Sequence, residues 1–170
     1  MFRIKLLILL FSFFLFSCAK TSVDKNYDGF SVNYIGGAFD GLYLSNTLIA
    51  NLKMRNMYKP QSKYTINASI SHAGDVYITN VDKTSDRERI ISTLTVAITD
   101  QKSKCLVYTY EDFEEQFYVI APSIHFTSNT KAIDKIKMSN VDILVNNFLY
   151  EIKGKNFRCT LDNLNEYSNN

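Results

Sequence analysis

Few residues of this chain have side chains that could carry out chemistry. The cysteines are Cys18, Cys105 and Cys159, and the histidines are His72 and His125. Two histidines cannot form a three-histidine metal site, and neither has a second His or Cys at metal-ligand spacing. The sequence also has no glycine-rich phosphate loop and no Gly-x-Ser-x-Gly elbow. We therefore expect a non-catalytic protein without a metal or cofactor.

Four acidic residues lie close together in the chain, namely Glu111, Asp112, Glu114 and Glu115. Paired carboxylates can act as general acid and base. In this stretch we instead favour a solvated strand face or a surface that matches a basic partner.

The thiol of Cys18 follows a short apolar segment at the N-terminus. Arg3 and Lys5 precede an apolar run over residues 6–16, which only Ser12 interrupts. This run is too short for a membrane-spanning helix, which needs about 20 apolar residues. It is typical of a signal peptide, which we predict over residues 1–17.

The segment Leu15-Phe16-Ser17-Cys18 resembles the bacterial lipobox. The resemblance implies that Cys18 is the lipid attachment site, whose thiol accepts a diacylglycerol group, and that acyl chains such as palmitate anchor the mature chain. The alternative is an ordinary secretory signal that contains a cysteine.

Residues 18–28 are polar and predict a flexible tether. No Asp follows Cys18, and by resemblance to the sorting rule of Gram-negative bacteria this favours the periplasmic side of the outer membrane.

The charges of the mature chain are balanced. The whole chain has 19 Lys and Arg against 17 Asp and Glu. Loss of the signal peptide removes Arg3 and Lys5 but no acid, so 17 of each sign remain. This balance does not support nucleic-acid binding, which requires a strongly basic face. Removing 17 residues from 170 leaves 153, enough for one compact domain but not for two.

Alternating apolar and polar residues predict the strands. A short first strand covers residues 29–35, with Phe30, Val32 and Tyr34 on one side. Longer strands cover 64–81, 87–100 and 105–118, with a bulge or bend at 72–75 because Gly74 lies there. One face of the 87–100 strand is predicted to carry Ile90, Ser92, Leu94, Val96 and Ile98.

Apolar residues three and four positions apart predict two helices. The first runs over about 40–57, with Asp40 as its N-cap and Leu44, Leu48 and Leu52 on its buried stripe. The second ends near Gly154. Its stripe consists of Ile133, Ile136 or Lys137, Val141, Leu144, Val145, Phe148 and Ile152.

The predicted order of elements is therefore β-α-β-β-β-α. It indicates an α+β fold with an antiparallel sheet of about four strands and two helices packed on one face. The domain would cover residues 29–154, followed by a polar C-terminal tail over 155–170. Both faces of the 105–118 strand are partly apolar, so we expect the face without helices to contact another protein or lipid.

The arrangement resembles the LPS-assembly lipoproteins of the LptE family, particularly divergent alphaproteobacterial members. The resemblance rests on the lipobox, the early helix before the strand Tyr64–Ser71, the segment Arg87-Glu88-Arg89, and Phe117–Pro122 before a long helix. It covers roughly residues 30–153. It implies a non-catalytic protein that plugs the outer-membrane β-barrel LptD, helps to assemble it and contacts lipopolysaccharide.

Lys83, Arg87 and Arg89 are the candidate lipopolysaccharide-binding residues. Arginine can bind the phosphates of lipid A through two parallel hydrogen bonds, and alternation places Arg87 and Arg89 on one face of a strand. The alternative is that these are solvated edge-strand charges that discourage aggregation.

A second function belongs to a different class of protein. The chain could be an accessory lipoprotein of a lipid-trafficking transporter or an activator of a cell-wall synthase, and would then bind a periplasmic domain instead of filling a barrel.

Cys105 and Cys159 are the candidate disulfide pair. The strand from Cys105 has about 13 residues, or roughly 43 Å, and the helix that returns has about 27 residues, or roughly 40 Å. Because these lengths nearly match, an antiparallel return brings Cys159 back towards Cys105. The periplasm is oxidising enough to join them, but two unpaired thiols remain the alternative.

We predict that Cys18→Ser abolishes lipidation, because only the thiol accepts the diacylglycerol group. Metabolic labelling with a radioactive fatty acid should label the wild-type chain and leave the variant an unlabelled precursor. Label that persists in the variant would contradict the assignment.

Overall fold

The structure is a computed structural model that describes residues 29–77, 87–119 and 126–159. Cys18, Lys83, His125, the predicted signal peptide and the tether lie outside these residues, as does the tail beyond Cys159. The elements are β1 (Phe30–Gly36), α1 (Ala38–Met54), β2 (Tyr64–Tyr77), β3 (Arg87–Asp100), β4 (Cys105–Val119) and α2 (Phe126–Glu151). The predicted α+β class and the order β-α-β-β-β-α are confirmed.

The strands form one sheet in the order β1-β2-β3-β4. The pairs β2–β3 and β3–β4 are antiparallel, as predicted. In contrast, β1 pairs with β2 in parallel, so the sheet is mixed and not wholly antiparallel. The reason is that α1 carries the chain back along the sheet before β2 begins, and such a crossover joins parallel strands.

The core lies between both helices and one side of the sheet, which we call the inner face. Side chains that are at least 96% buried come from every element. Each such apolar side chain contributes about 1.5–3 kcal/mol when it is fully buried. Among them are Phe30, Leu44, Leu48, Leu52, Ile66, Ile70, Leu94, Val96, Ile98, Val141, Leu144, Val145, Phe148, Leu149 and Ile152.

Polar contacts hold the two helices side by side. The Tyr43 hydroxyl donates to both oxygens of the Asp142 carboxylate at 3.2 Å. One helical turn later, the Thr47 hydroxyl donates to Asp142 at 3.4 Å. Near the end of α1, Arg55 donates to the amide oxygen of Asn146 at 2.9 Å. These bonds fix how the two buried stripes meet above the sheet.

Three local predictions were wrong. Asp40 is not the N-cap of α1, because Gly37 is the cap and adopts a φ of 114°, which favours glycine. In β1, a register shift between Val32 and Ile35 turns Tyr34 outwards, where 65% of the residue is exposed. Residues 72–75 form regular strand without a bulge, since Gly74 pairs directly with Ile90.

The segment after α2 packs against the sheet. The ring of Phe157 lies 5.7 Å from that of Phe30, 5.4 Å from Tyr64 and 5.8 Å from Tyr108. The Tyr64 hydroxyl also donates to the Phe157 carbonyl at 3.0 Å. The packed part of the chain therefore extends past Gly154, the predicted end of the domain.

Cys105 and Cys159 form a disulfide in the structure, with Cα atoms 6.1 Å apart and a sequence separation of 54. Cys105 is the first residue of β4 and is 1% exposed. Cys159 reaches it because the Phe157 contacts direct the end of the chain towards this corner of the sheet.

We predict that the exported protein alkylated under denaturing conditions shows modified Cys105 and Cys159 only after reduction. The double variant Cys105→Ser/Cys159→Ser should lose up to about 4 kcal/mol of unfolding free energy, because it opens a long loop in the unfolded chain. Urea unfolding measures this loss. Modification of both thiols before reduction would show that no bridge forms.

Candidate functional site

The second side of the sheet, the outer face, has no helix of the described chain packed on it. Along its centre lie small and mostly polar side chains from adjacent strands. Antiparallel register places Ser71 opposite Thr93 and Ser69 opposite Thr95, and these residues are partly or largely exposed. Small polar side chains give this centre a hydrophilic surface without bulky projections.

Apolar side chains line the β4 edge of the outer face. Phe113, Phe117 and Val119 are 63%, 50% and 61% exposed. On the same face Glu111 precedes Phe113, and Glu115 lies between Phe113 and Phe117. The predicted carboxylate cluster is thereby split, because Asp112 turns to the inner side, where it accepts hydrogen bonds from Tyr110 at 2.9 Å and Asn147 at 3.3 Å.

Arg89 lies on the outer face between two carboxylates. Its Nη2 is 3.0 Å from Asp75 of β2, and its Nη1 is 3.6 Å from Glu115 of β4. A lipid phosphate at Arg89 would have to compete with both acids. Arg87 shares this face two residues earlier and is exposed, whereas Lys83 lies outside the described residues. The structure therefore places two of the three predicted binding residues on one face and sets Arg89 between two acids.

A buried polar chain on the inner face was not predicted. Register places His72 of β2 opposite Ser92 of β3, and His72 Nδ1 is 2.8 Å from the Ser92 hydroxyl. Asn140 of α2 donates to the same hydroxyl at 2.9 Å. Asp40 of α1 lies 3.7 Å from His72 Nε2. Although Ser, His and Asp are also the residue types of a hydrolase triad, Ser92 is 0% exposed, so its hydroxyl is out of reach of a substrate.

A cavity of about 210 Å³ opens beside these polar residues, between α1, α2 and β2. Its walls are formed by Phe39, Asp40, Tyr43, His72, Asp134, Lys137, Met138 and Val141. Sequence reasoning missed the cavity because its residues come from three elements. The only available signal was His72, a histidine at an inward-facing position of a strand.

Two further features concern only the ranges 29–77, 87–119 and 126–159. Neither helix there is long and apolar enough to cross a membrane. The same ranges contain no group of three or more His, Cys, Asp and Glu side chains placed to hold a metal ion.

We predict that His72 makes stability depend on pH. Burial lowers the pKa of His72 below its ordinary value of 6.5; Lys137 acts in the same direction and the Asp40 carboxylate opposes them. Since the folded-state pKa is the lower one, the unfolded chain binds the proton more readily. The free energy of unfolding should therefore be highest above pH ~6.5 and fall as the pH drops from ~7 towards ~5.

Urea unfolding across this pH range measures the effect. His72→Gln should make the dependence clearly shallower. Equal slopes for wild type and His72→Gln would contradict the prediction.

The sequence matches no protein-family model and no curated protein. Solved structures are nevertheless similar in fold. Rare lipoprotein B from Shewanella oneidensis superposes with a TM-score of 0.58 at 8% identity, covering 74% of this chain and 93% of that one. A minor lipoprotein from Acinetobacter baumannii gives 0.55 at 13% identity, covering 74% and 90%. A candidate lipoprotein from Caulobacter crescentus gives 0.53 at 12% identity, covering 74% and 88%. The chain thus has a fold found in these lipoproteins.

Proposed function

We propose that the mature chain is a lipid-anchored lipoprotein of the outer membrane, of the LptE type. It plugs an LptD-type β-barrel from the periplasmic side, assists the assembly of that barrel and contacts lipopolysaccharide on its way to the outer leaflet. It acts by binding and not by catalysis.

The observation that carries this proposal is the fold shared with rare lipoprotein B in a chain whose residues 15–18 resemble a lipobox. Most of that structure, 93% of it, is covered by this chain. At 8% identity the likeness concerns the fold alone. The order of motifs from the lipobox to the long final helix adds independent support from the sequence.

The outer face provides the surface that such a partner requires. A protein that fills a barrel must contact its wall over a broad area, and the small side chains of β2 and β3 allow close approach. The exposed Phe113 and Phe117 would supply the buried anchors that dominate most protein interfaces. The carboxylates of Glu111 and Glu115 beside them limit which partners fit, since like charges in an interface are unfavourable.

The test of the barrel partner is co-purification. The lipidated protein should leave the membrane only in detergent, bound to a large heat-modifiable β-barrel. Phe113→Lys should reduce the amount of barrel recovered at least several-fold, because it places a charge at the proposed contact. Tyr150→Lys, at a residue that is 76% exposed on α2, is the matched control and should recover the barrel normally.

Recovery of an inner-membrane transporter complex or a cell-wall synthase instead of a barrel would contradict the proposal. That result would favour the alternative function as an accessory lipoprotein.

The test of lipopolysaccharide contact uses Arg87→Glu/Arg89→Gln. Gln at position 89 avoids placing a third carboxylate beside Asp75 and Glu115. If the two arginines bind lipid A phosphates, affinity for lipopolysaccharide should fall about tenfold or more, because charge-assisted hydrogen bonds are lost. Thermal stability should change little, since exposed ion pairs contribute about 0–1 kcal/mol.

Arg158→Glu is the control for charge, because Arg158 is exposed and adjoins Cys159 at the opposite end of the sheet. It should bind lipopolysaccharide as the wild type does. Unchanged affinity in the double variant would show that Arg87 and Arg89 are solvated strand charges.

A further inference from the structure

The cavity between α1, α2 and β2 contains a buried polar atom that lacks a partner. The side chain of His72 is 6% exposed, and its Nε2 has no hydrogen bond with any residue of the described chain. Asp40 Oδ2 is 3.7 Å away, which is too long for a hydrogen bond. A buried polar group without a hydrogen-bond partner destabilises the folded state. The cavity is therefore built to receive a polar group at this point.

The neighbours of His72 determine which polar group fits. Asn140 Nδ2 lies 3.4 Å from the Glu114 carbonyl, which can only accept, so the amide nitrogen must face it. The same nitrogen donates to Ser92 Oγ. Ser92 is 0% exposed, and of its two partners here only His72 Nδ1, 2.8 Å away, can accept the hydroxyl proton. With that proton donated, the neutral imidazole carries its own proton on Nε2. The group presented to the cavity is an N–H donor beside a carboxylate acceptor.

These two groups exclude charged ligands. An ammonium group carries only hydrogen-bond donors. It could not accept a hydrogen bond from Nε2–H, which would remain without a partner. A phosphate or carboxylate would accept that proton but would lie against Asp40, with Asp134 also in the wall and only the single positive charge of Lys137 to offset the two acids. A hydroxyl group fits both, because it accepts from Nε2–H and donates to the Asp40 carboxylate. It thereby bridges the 3.7 Å gap.

The remaining walls suit the carbon skeleton of such a ligand. Phe39, Tyr43, Met138 and Val141 present apolar surface. The Tyr43 hydroxyl is already bonded to Asp142, so the tyrosine contributes its ring. Asp134 and Lys137 add one acceptor and one donor. The volume of about 210 Å³ is below the range of about 300–1,000 Å³ that is usual for drug-sized ligands, so it holds one ring-sized group.

We propose that this cavity is a binding site for a neutral sugar ring, which places one hydroxyl between His72 and Asp40 and its C–H face against Phe39 and Met138. The site is separate from the arginines of the outer face, and the proposal does not depend on the proposed function. The sugar can belong to a free saccharide or to a glycan of the cell envelope.

Ligand-observed saturation-transfer NMR on the full mature protein tests this proposal. The detergent must carry no sugar headgroup, because a glycosidic detergent would compete. The first probes are D-glucose, D-galactose and N-acetyl-D-glucosamine, of which at least one should receive saturation. Glucosamine and glucose 6-phosphate share the ring of glucose but carry a charge, so both should bind more weakly than the best neutral sugar. Chitobiose and the delipidated oligosaccharide of lipopolysaccharide then distinguish the source of the sugar.

Variants locate the binding. Met138→Trp fills the cavity from a residue that is 42% exposed, and should reduce affinity about tenfold or more without harm to folding. Met54→Trp is the matched control. Met54 is 72% exposed and lies at the end of α1 that is distant from the cavity, so this variant should bind as the wild type does. His72→Gln should also weaken binding. The proposal is overturned if no neutral sugar receives saturation, if glucose 6-phosphate binds better than glucose, or if Met138→Trp leaves affinity unchanged.

Discussion

The alternation of side chains along β3 is the constraint on which the rest of the structure depends. This strand pairs along both edges, and its inward residues from Ile90 to Ile98 are at least 98% buried. A shift of one residue would turn all of them to the other face. Because the described chain supplies only α1 and α2 to cover them, one face is buried and the other stays open. The outer face is therefore exposed because both helices pack on the same side of the sheet.

Much of the fold could be predicted because it follows from local periodicity. The bounds of β3, the buried stripes of both helices and the order of elements all come from spacings within one segment. The parallel pairing of β1 could not be predicted, since alternation in a strand does not reveal the direction of its neighbour. Gly37 replaced Asp40 as the cap because the entry into α1 requires a positive φ. Phe157 was missed because one aromatic residue within a polar segment has no periodic pattern.

The candidate sites were less predictable than the fold. Arg87 and Arg89 were correctly assigned to one face, but the acids beside Arg89 come from β2 and β4 and depend on register across three strands. His72 and Ser92 are 20 residues apart and meet only through the pairing of β2 with β3.

The outer face and the cavity between the helices also differ in shape. The outer face is broad and open, whereas the helix-side cavity admits one small group, so occupation of one leaves the other accessible.

The disulfide between Cys105 and Cys159 divides the chain mechanically. It encloses β4 and α2 in a covalent ring, while β1, α1, β2 and β3 remain outside it. A pulling force applied at the N-terminus acts first on β1, which has only seven residues. It can then separate the strands outside the ring from the sheet one after another. The ring itself cannot be extended beyond its closure while the bond is intact. Under an applied force the N-terminal half therefore extends first, whereas the disulfide-closed segment of β4 and α2 resists extension.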